Sequence, residues 1–287
     1  MRQRSQHFDP RQTMQTDTFE VFHYRDTNPG TVEMHHHDFY ELYCLLEGRV
    51  EYWVEGRVIR LQPGDILLLN PMELHRPVIG PESPLYERIV LWIRKDWLEA
   101  IPSATMGLGD CFDPSRPTHT NLLRPDAAQR GELTALLGTL VAEYYSREPG
   151  SDLCAYGLLL QLMTRLNRLV LESPRVAGKA ASALVQKALQ HIGEHLSGEL
   201  SLEQVAAACY VSKYHLSHAF SREVGVSLYR YVLLRRLVLA RQLLAEGVPA
   251  GQVCQDCGFS DYAGFYRAFK AEYGISPREF SGGSGKV

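Results

Sequence analysis

The sequence predicts an α+β fold: an N-terminal barrel of short β-strands, then a helical pair, then an all-α C-terminal domain with two helix-turn-helix units. Three observations predict it. Short apolar segments separated by turn residues recur between about residues 19 and 93. Two long helical patterns occupy residues 126–172. A residue pattern that starts near Leu202 then occurs a second time, about 48 positions later, and ends at Phe280.

Length and composition exclude several classes of protein. A chain of 287 residues with 45% hydrophobic residues is long enough for two domains, each with its own core. It contains no apolar run near the roughly 18–20 residues of a membrane span. Residues 1–18 are polar and resemble no secretory signal, so we expect a disordered N-terminus and a cytoplasmic protein without a membrane partner.

The six cysteines are scattered, which favours reduced thiols over a disulfide framework. Cys254 and Cys257 form a C-x-x-C sequence, and both a zinc site and a redox site have to be considered. The pair lacks a second pair of ligands and falls on one face of a predicted helix. We therefore interpret both as core residues.

Short predicted strands in the N-terminal part indicate a barrel. Turn residues such as Gly48, Gly56 and Gly64 separate apolar segments that we predict as strands at 42–46, 50–54, 58–61, 66–69 and 86–93. Strands at this spacing are typical of a β-sandwich or barrel. A short helix at 97–101 and a loop at 102–125, rich in glycine and proline, complete the predicted domain of residues 19–125.

Histidines and a glutamate cluster at the start of this domain. His35 and His37 are two positions apart, so on one strand both face the interior while His36 faces out. Glu41 and His75 could join them in a set of three histidines and one carboxylate. This spacing resembles the pattern of the cupins, which are small jelly-roll barrels. The resemblance implies a divalent transition metal (zinc, manganese, iron or nickel), an organic ligand held by the histidines, or histidines with a structural role only.

The two helical patterns cover residues 126–147 and 151–172. Ser151 and Asp152 are good capping residues for the second helix, and the short turn between the helices predicts an antiparallel pair. The pair (residues 126–172) could pack on the barrel or form a dimer interface. We expect a linker at 173–182, a third domain at 183–281 and a disordered tail at 282–287.

The first helix-turn-helix predicts a supporting helix at 202–209, capped by Ser201, and a second helix that Ser212 opens. In the second helix Leu216, Ala219 and Phe220 fall on the buried side. The outward face is compact, polar, aromatic and basic, and consists of Lys213, Tyr214, Ser217, His218, Ser221 and Arg222. Such a helix fits the major groove of double-stranded DNA, with the lysine and arginine on phosphates.

A long helix at 228–245 connects to the second motif, and its arginines are candidates for DNA-backbone contacts or for a solvated face. The second motif predicts helices at 250–257 and 260–273, with Phe265, Ala268 and Phe269 inward. Its outward residues are Asp261, Tyr262, Tyr266, Arg267 and Lys270. We expect Arg267 to read a guanine.

The last hundred residues resemble the AraC/XylS family of bacterial transcription regulators. The resemblance rests on the duplicated serine, leucine and phenylalanine spacing and on the second signature, Gly258-Phe259-Ser260-Asp261, Phe265, Arg267-Ala268-Phe269-Lys270, Gly274-Ile275-Ser276-Pro277 and Phe280. One feature departs from the family: its members commonly carry arginine or glutamine where this chain has Ser217 and His218.

The resemblance implies two recognition helices in successive major grooves, about 34 Å apart. It also implies a homodimer, RNA polymerase as a partner, and a small-molecule effector in the barrel that changes dimer geometry or frees the DNA-binding domain. We therefore expect an effector-responsive transcription regulator, an activator and not an enzyme. A carbohydrate is favoured over an aromatic acid as effector, and the candidate pocket residues are Tyr40, Tyr52, His35, His37, Glu41, His75, Tyr43, Trp53 and Trp92.

Two alternatives stay open. One is a cupin-type metal-dependent enzyme or metal sensor fused to a DNA-binding domain. The other is a constitutive regulator whose barrel serves only as a dimerisation scaffold.

Overall fold

The computed structural model describes residues 13–27, 32–80, 85–172 and 179–283. Residues 1–12, most of the predicted linker (173–178) and the last four residues of the predicted tail lie outside the described part. Residues 13–18, within the predicted disordered N-terminus, are held in place: the N–H of Thr16 donates to the Glu20 carboxylate at 2.9 Å. The chain divides into two compact units, Met1–Lys179 and Ala180–Val287.

The N-terminal unit contains two antiparallel sheets. Its strands are β1 (Phe19–Asp26), β2 (Phe39–Glu47), β3 (Val50–Val54), β4 (Arg57–Leu61), β5 (Ile66–Leu69), β6 (His75–Ile79), β7 (Tyr86–Arg94) and β8 (Leu122–Leu123). The first sheet has the order β1-β7-β2-β5-β8, and in the second β3 lies between β4 and β6. The predicted strands are confirmed, while β1, β6 and β8 had not been delimited by the sequence.

The first sheet is the middle of three layers, because both of its faces are buried. On β2, Leu42 and Cys44 belong to the core shared with the helices, whereas Tyr43 and Leu45 face the second sheet. A strand covered on both faces reads as a continuous apolar run rather than as an alternation. Strand β5, whose four residues are all buried, has this character.

Three helices belong to this unit: α1 (Lys95–Glu99), α2 (Ala127–Tyr144) and α3 (Ser151–Glu172). Asp126 and Gln129 form a capping box at the start of α2. Apolar residues of α2 and α3 pack on the first sheet, and the Tyr145 hydroxyl donates to the Val21 carbonyl at 2.6 Å. The helical pair therefore packs on the barrel, and its part in a dimer stays a prediction.

The prediction of a loop at 102–125 is incomplete. This segment contains a 3-10 turn at Asp110–Phe112 as well as β8, which pairs with β5. Phe112 and Leu123 are fully buried. Short elements of two or three residues are too brief to produce a periodic pattern, so tertiary packing alone reveals them.

The C-terminal unit is helical, with α4 (Ala183–Glu194), α5 (Leu202–Ala208), α6 (Lys213–Val224), α7 (Leu228–Ala245), α8 (Ala250–Asp256), α9 (Tyr262–Tyr273) and α10 (Pro277–Gly283). Helices α6 and α9 end in the same way, at Gly225 and Gly274, with φ of 88° and 75°. Only glycine adopts this left-handed conformation at no steric cost. Ser227 then caps α7 and Ser276 caps α10.

Helix α7 connects the two motifs and belongs to the core of both. Its Tyr231 ring packs against Phe220 of α6, and its Leu237 lies in a cluster with Phe265 and Phe269 of α9. Among the described residues, no helix combines the length and the apolar character that crossing a bilayer requires.

Two arginines predicted as candidates for DNA-backbone contacts have partners inside the protein. Arg230 of α7 pairs with Glu272 of α9 at 3.0 Å. Arg236 donates to the carbonyls of Leu196 and Gly198 at 3.1 and 2.7 Å. Both therefore tie α7 to its neighbours.

We predict that Leu237→Ala destabilises the protein by about 2–5 kcal/mol, because the leucine is fully buried and its removal leaves a cavity. Tyr229→Ala, on the same helix at a side chain that is 77% exposed, is the control and should change stability by less than about 0.5 kcal/mol. Urea unfolding followed by far-ultraviolet circular dichroism measures both. Equal effects of the two variants would contradict the central place of α7.

Candidate nucleic-acid interface and histidine cluster

The turn inside each helix-turn-helix has the same backbone geometry. Tyr210 after α5 and Gly258 after α8 both have positive φ, 59° and 76°. The next residue in each turn, Val211 or Phe259, donates its N–H back to the preceding helix at 3.1 or 3.0 Å. Glycine is the usual residue in this conformation. The first motif places a tyrosine there, and that side chain is 88% exposed.

The second recognition helix begins at Tyr262, two residues later than the predicted start at residue 260. Ser212 caps α6, but Asp261 rather than Ser260 caps α9, where its carboxylate accepts the N–H of Gly264 at 2.7 Å. Phe265 follows Asp261 by four positions, as Leu216 follows Ser212. The extra residue of the second copy therefore lies in the turn. Asp261 has a capping role, and its contact with DNA stays a prediction.

The outward face of α6 is formed by the residues that the periodicity indicates. Leu216, Ala219 and Phe220 are buried, as predicted. The remaining predicted residues are exposed (Lys213, Tyr214, His218 and Arg222) or partly exposed (Ser217 and Ser221). The Tyr214 side chain is 78% exposed, which is unusual for a large aromatic residue without a partner molecule.

The cations of α6 are paired with carboxylates. Lys213 Nζ is 2.7 Å from Glu203 Oε1, and Arg222 is 3.4 Å from Glu223. The hydrogen bond from Lys213 lowers the pKa of Glu203. All these groups are at least partly exposed, so both pairs are weak and can be exchanged for other anions.

The outward face of α9 has a different electrostatic character. Tyr262, Arg267 and Lys270 are exposed and Tyr266 is partly exposed, while Phe265 and Phe269 are fully buried. Within the described part of the chain, no ion pair involves Arg267 or Lys270. Their positive charge is therefore available to an external anion.

A histidine cluster lies between the two sheets of the N-terminal unit. Ligand atoms of His37, Glu41 and His75 are all within 4.8 Å of one another, and all three residues are buried. His37 precedes β2, Glu41 lies on the inward face of β2, and His75 begins β6. Burial lowers the pKa of His75, so this ring is neutral near pH 7.

The predicted outward orientation of His36 is wrong, and so is the predicted strand at 35–37. Residues 36–38 are not in a strand; His35 makes an isolated bridge with His75, and β2 begins only at Phe39. Strand alternation therefore does not apply, and His36, predicted to face out, is buried. His35 lies beside the cluster, with its ring centroid 4.3 Å from that of His75, but its nitrogens are not part of the converging group. Burial lowers the pKa of His35 as well.

The predicted aromatic pocket residues Tyr43, Tyr52, Trp53 and Trp92 are all at most 5% exposed. Tyr43 donates to the Tyr86 hydroxyl at 2.6 Å, and burial raises the pKa of Tyr43. Tyr43, Tyr52 and Trp92 lie between the sheets, so an organic ligand among these three rings needs side chains to move. Trp53 is an incorrect assignment, because it alternates with Tyr52 along β3 and lies on the other face of that strand. Tyr40 is an incorrect assignment, because it points to the other face of β2, where it stacks on Phe112.

One polar group inside the barrel was missed. Arg88 of β7 is 4% exposed, pairs with Asp26 at 2.6 Å and lies over the rings of Tyr24 and Tyr86. The available signal was its position, since Arg88 is an even number of residues from the inward Trp92. A buried arginine held in this way is a potential partner for a polar ligand.

The C-x-x-C pair lies in the core of the second motif. Cys254 and Cys257 are buried, and burial raises the pKa of the Cys257 thiol to about 12. These thiols are therefore protonated at neutral pH and contribute to packing.

Comparison with known proteins assigns both units. Residues 18–163 match the family described as the AraC-like ligand binding domain, and residues 205–282 match a helix-turn-helix domain. The arabinose operon regulatory protein of Escherichia coli (strain K12) is 29% identical over 85% of this chain and 80% of its own. The probable transcriptional regulator LumQ of Photobacterium leiognathi is 35% identical over 93% and 97% of the two chains. The HTH-type transcriptional activator RhaR of Shigella dysenteriae serotype 1 (strain Sd197) is 24% identical over 86% of each.

We predict that Asp261→Ala destabilises the protein by about 0.5–2 kcal/mol, because the Gly264 N–H at the start of α9 loses its acceptor. Asp261→Asn keeps an acceptor oxygen and should cost much less. Urea unfolding and hydrogen exchange of the α9 amides measure the difference. If Asp261→Ala left stability unchanged and weakened DNA binding, the original assignment of Asp261 to the DNA interface would stand.

Proposed function

The chain belongs to the AraC family of transcription regulators, and from this premise we propose that it binds double-stranded DNA through the outward faces of α6 and α9. The proposal rests on one observation: α6 and α9 bury apolar residues at equivalent positions, and each exposes a polar face on its other side. Leu216 and Phe220 in α6 correspond to Phe265 and Phe269 in α9, and all four are fully buried. Such helices fit successive major grooves.

We assign different roles to the two helices. Helix α9 carries Arg267 and Lys270, which form no ion pair with any residue that the structure describes, and it contributes most of the electrostatic attraction. Helix α6 carries Tyr214, Ser217 and His218, which suit contacts with base edges and define the first half-site. Lys213, Ser221, Arg222, Tyr262 and Tyr266 complete the interface through phosphates and neighbouring bases.

We also propose that the N-terminal barrel binds a small-molecule effector and that this effector is a carbohydrate. The matched ligand-binding family supports the first point, and the name of the arabinose operon regulator supports the second. The interior offers stacking surfaces and hydrogen-bonding groups, including Tyr43, Tyr52, Trp92 and the histidine cluster. These are the two kinds of contact that a sugar ring requires.

Regulation requires further partners. We propose a homodimer that activates transcription by contacting RNA polymerase in the cytoplasm. The activator relative supports the sign of regulation. Two leucines of α3, Leu153 and Leu171, are 71% and 64% exposed and offer apolar contacts for a second copy. Analytical ultracentrifugation tests the dimer, and in vitro transcription tests activation.

An enzymatic role is the rival proposal, and its basis is the histidine cluster. All three relatives described above are named as regulators, which supports a regulatory role instead. In a regulator such a cluster serves to sense a ligand or to stabilise the fold, and neither role involves conversion of a substrate.

We predict that Arg267→Ala weakens binding to a DNA site selected from a random pool by about 1–3 kcal/mol and relaxes sequence preference at one base pair. Lys270→Ala should weaken binding to all sequences and reduce the salt dependence by about one phosphate contact. Fluorescence anisotropy over a range of salt concentrations measures both variants.

The control for charge is Arg57→Ala, which removes an exposed arginine from β4 of the N-terminal unit. It should leave DNA affinity unchanged. Affinity and specificity of Arg267→Ala equal to those of the wild type would refute the guanine contact, whereas failure of the wild type to select any DNA sequence would refute the proposed function.

For the effector we predict that at least one sugar raises the melting temperature of the full chain, since a ligand that binds only the folded state stabilises it. A thermal-shift screen of sugars, aromatic acids and metal salts measures this. Trp92→Phe is the test variant, because the Trp92 ring lies between the sheets, and the partly exposed Trp97→Phe is the control. A shift produced only by aromatic acids would overturn the carbohydrate assignment.

A further inference from the structure

Three side chains from separate parts of the barrel aim ligand atoms at one point. The ring nitrogen Nε2 of His37 is 3.3 Å from Oε2 of Glu41, and a nitrogen of His75 is within 4.8 Å of both groups. Ligand atoms lie about 2.1 Å from a tetrahedral zinc ion and therefore about 3.4 Å from one another. The His37–Glu41 separation already has this value.

Hydrogen bonds to the backbone fix the tautomer of both histidines. His37 Nδ1 is 2.9 Å from the Phe39 carbonyl, and His75 Nδ1 is 2.9 Å from the Glu73 carbonyl. A carbonyl only accepts, so each Nδ1 carries a hydrogen. In a neutral imidazole the lone pair is then on Nε2, which is the arrangement of a metal-ligating histidine.

Both Nε2 atoms are buried and lack a hydrogen-bond donor among the described residues. Buried polar nitrogens in native proteins nearly always have a partner. In the neutral tautomer, the lone pair of His37 Nε2 also faces a carboxylate oxygen at 3.3 Å, which is repulsive unless a cation lies between them. A proton on His37 would relieve that contact but would leave His75 Nε2 unsatisfied.

A tryptophan positions the carboxylate. The Trp92 Nε1–H donates to Glu41 Oε2 at 2.8 Å, which fixes the orientation of the carboxylate next to His37. Outer hydrogen bonds of this kind are typical of metal centres, where they orient the ligands. The glutamate and the two histidines thus form a preorganised set of ligands, and the tryptophan orients the glutamate.

We propose that a divalent transition metal ion binds His37 Nε2, His75 Nε2 and the Glu41 carboxylate inside the barrel. Two imidazoles and one carboxylate favour zinc, cobalt, nickel or iron over magnesium or calcium. The three ligands leave at least one coordination position open. A water molecule or an oxygen atom of an organic effector can fill it.

The ion would cross-link the two sheets, because Glu41 lies on β2 of the first sheet and His75 on β6 of the second. Binding energy at such a cross-link stabilises the folded barrel. We also assign the ion a regulatory role, and this assignment rests on the proposed function. Metal occupancy changes the affinity of the full chain for DNA.

The test uses the full-length protein after dialysis against a chelator. Zinc or cobalt is added, excess metal is removed by gel filtration, and bound metal is measured by elemental analysis. We expect one equivalent per chain, visible cobalt absorption bands of nitrogen and oxygen ligation, and a higher melting temperature. Less than a tenth of an equivalent of either metal would overturn the site.

Variants locate the ion. Glu41→Gln is close to isosteric and should abolish stoichiometric binding, and Trp92→Phe should weaken affinity about 10-fold or more by releasing the carboxylate. The matched control is His23→Ala, which breaks another His–Glu pair of this unit, with Glu87 at 2.7 Å, and should bind metal as the wild type does. Equal loss of metal in His23→Ala and Glu41→Gln would place the ion elsewhere and refute the assignment.

DNA affinity of the metal-loaded and chelated proteins tests the regulatory role. A change of about 5-fold or more that Glu41→Gln abolishes supports it. Stoichiometric metal with identical DNA affinity in both states refutes the regulatory role and leaves the site. A protein that binds metal but no DNA sequence refutes the proposed function and leaves the metal site intact.

Discussion

The N-terminal unit depends on burial of the first sheet on both faces. Since side chains alternate along a strand, the helices on one side and the second sheet on the other determine what each residue of β2 can contact. Tyr40, Leu42 and Cys44 face the helices, so Glu41 and Tyr43 must lie in the interior. A carboxylate there requires polar neighbours, and Trp92 and His37 are the neighbours that it has.

The C-terminal unit contains two helix-turn-helix motifs that pack in the same way. Each copy contains a first helix followed by a residue with positive φ, then a second helix that is capped at its start and ends at a glycine. Helix α7 supplies core residues to both copies. These inward constraints concern shape and conformation alone. The outward residues are free of these constraints. Two helices with the same scaffold therefore carry different faces: α6 is aromatic and its cations are paired, whereas α9 is cationic and its Arg267 and Lys270 form no ion pair with a described residue.

Periodicity predicted the long elements well: the helix at 151–172 is observed as Ser151–Glu172, and the faces of α6 were assigned correctly because burial of Leu216 and Phe220 dictates them. Local competition explains the errors. Ser260 and Asp261 are both good capping residues, and only packing of Phe265 selects the second. Residues 35–37 look like a strand, but a strand requires a continuous partner, and here only His35 has one, in its bridge to His75. Contacts across the barrel, such as Trp92 with Glu41, depend on a register that sequence spacing does not contain.

In the proposed DNA interface, the ion pair between Lys213 and Glu203 should affect how DNA binding by α6 responds to salt. Affinity of a cationic surface for DNA falls with ionic strength because bound small ions are exchanged on complex formation. Lys213 already has a covalently tethered counter-anion at 2.7 Å, which cannot diffuse away when a phosphate displaces it. The entropy gained by releasing mobile ions is therefore smaller at α6 than at α9. The two half-sites should differ in thermodynamic character, with the first recognised chiefly by enthalpic contacts with the bases.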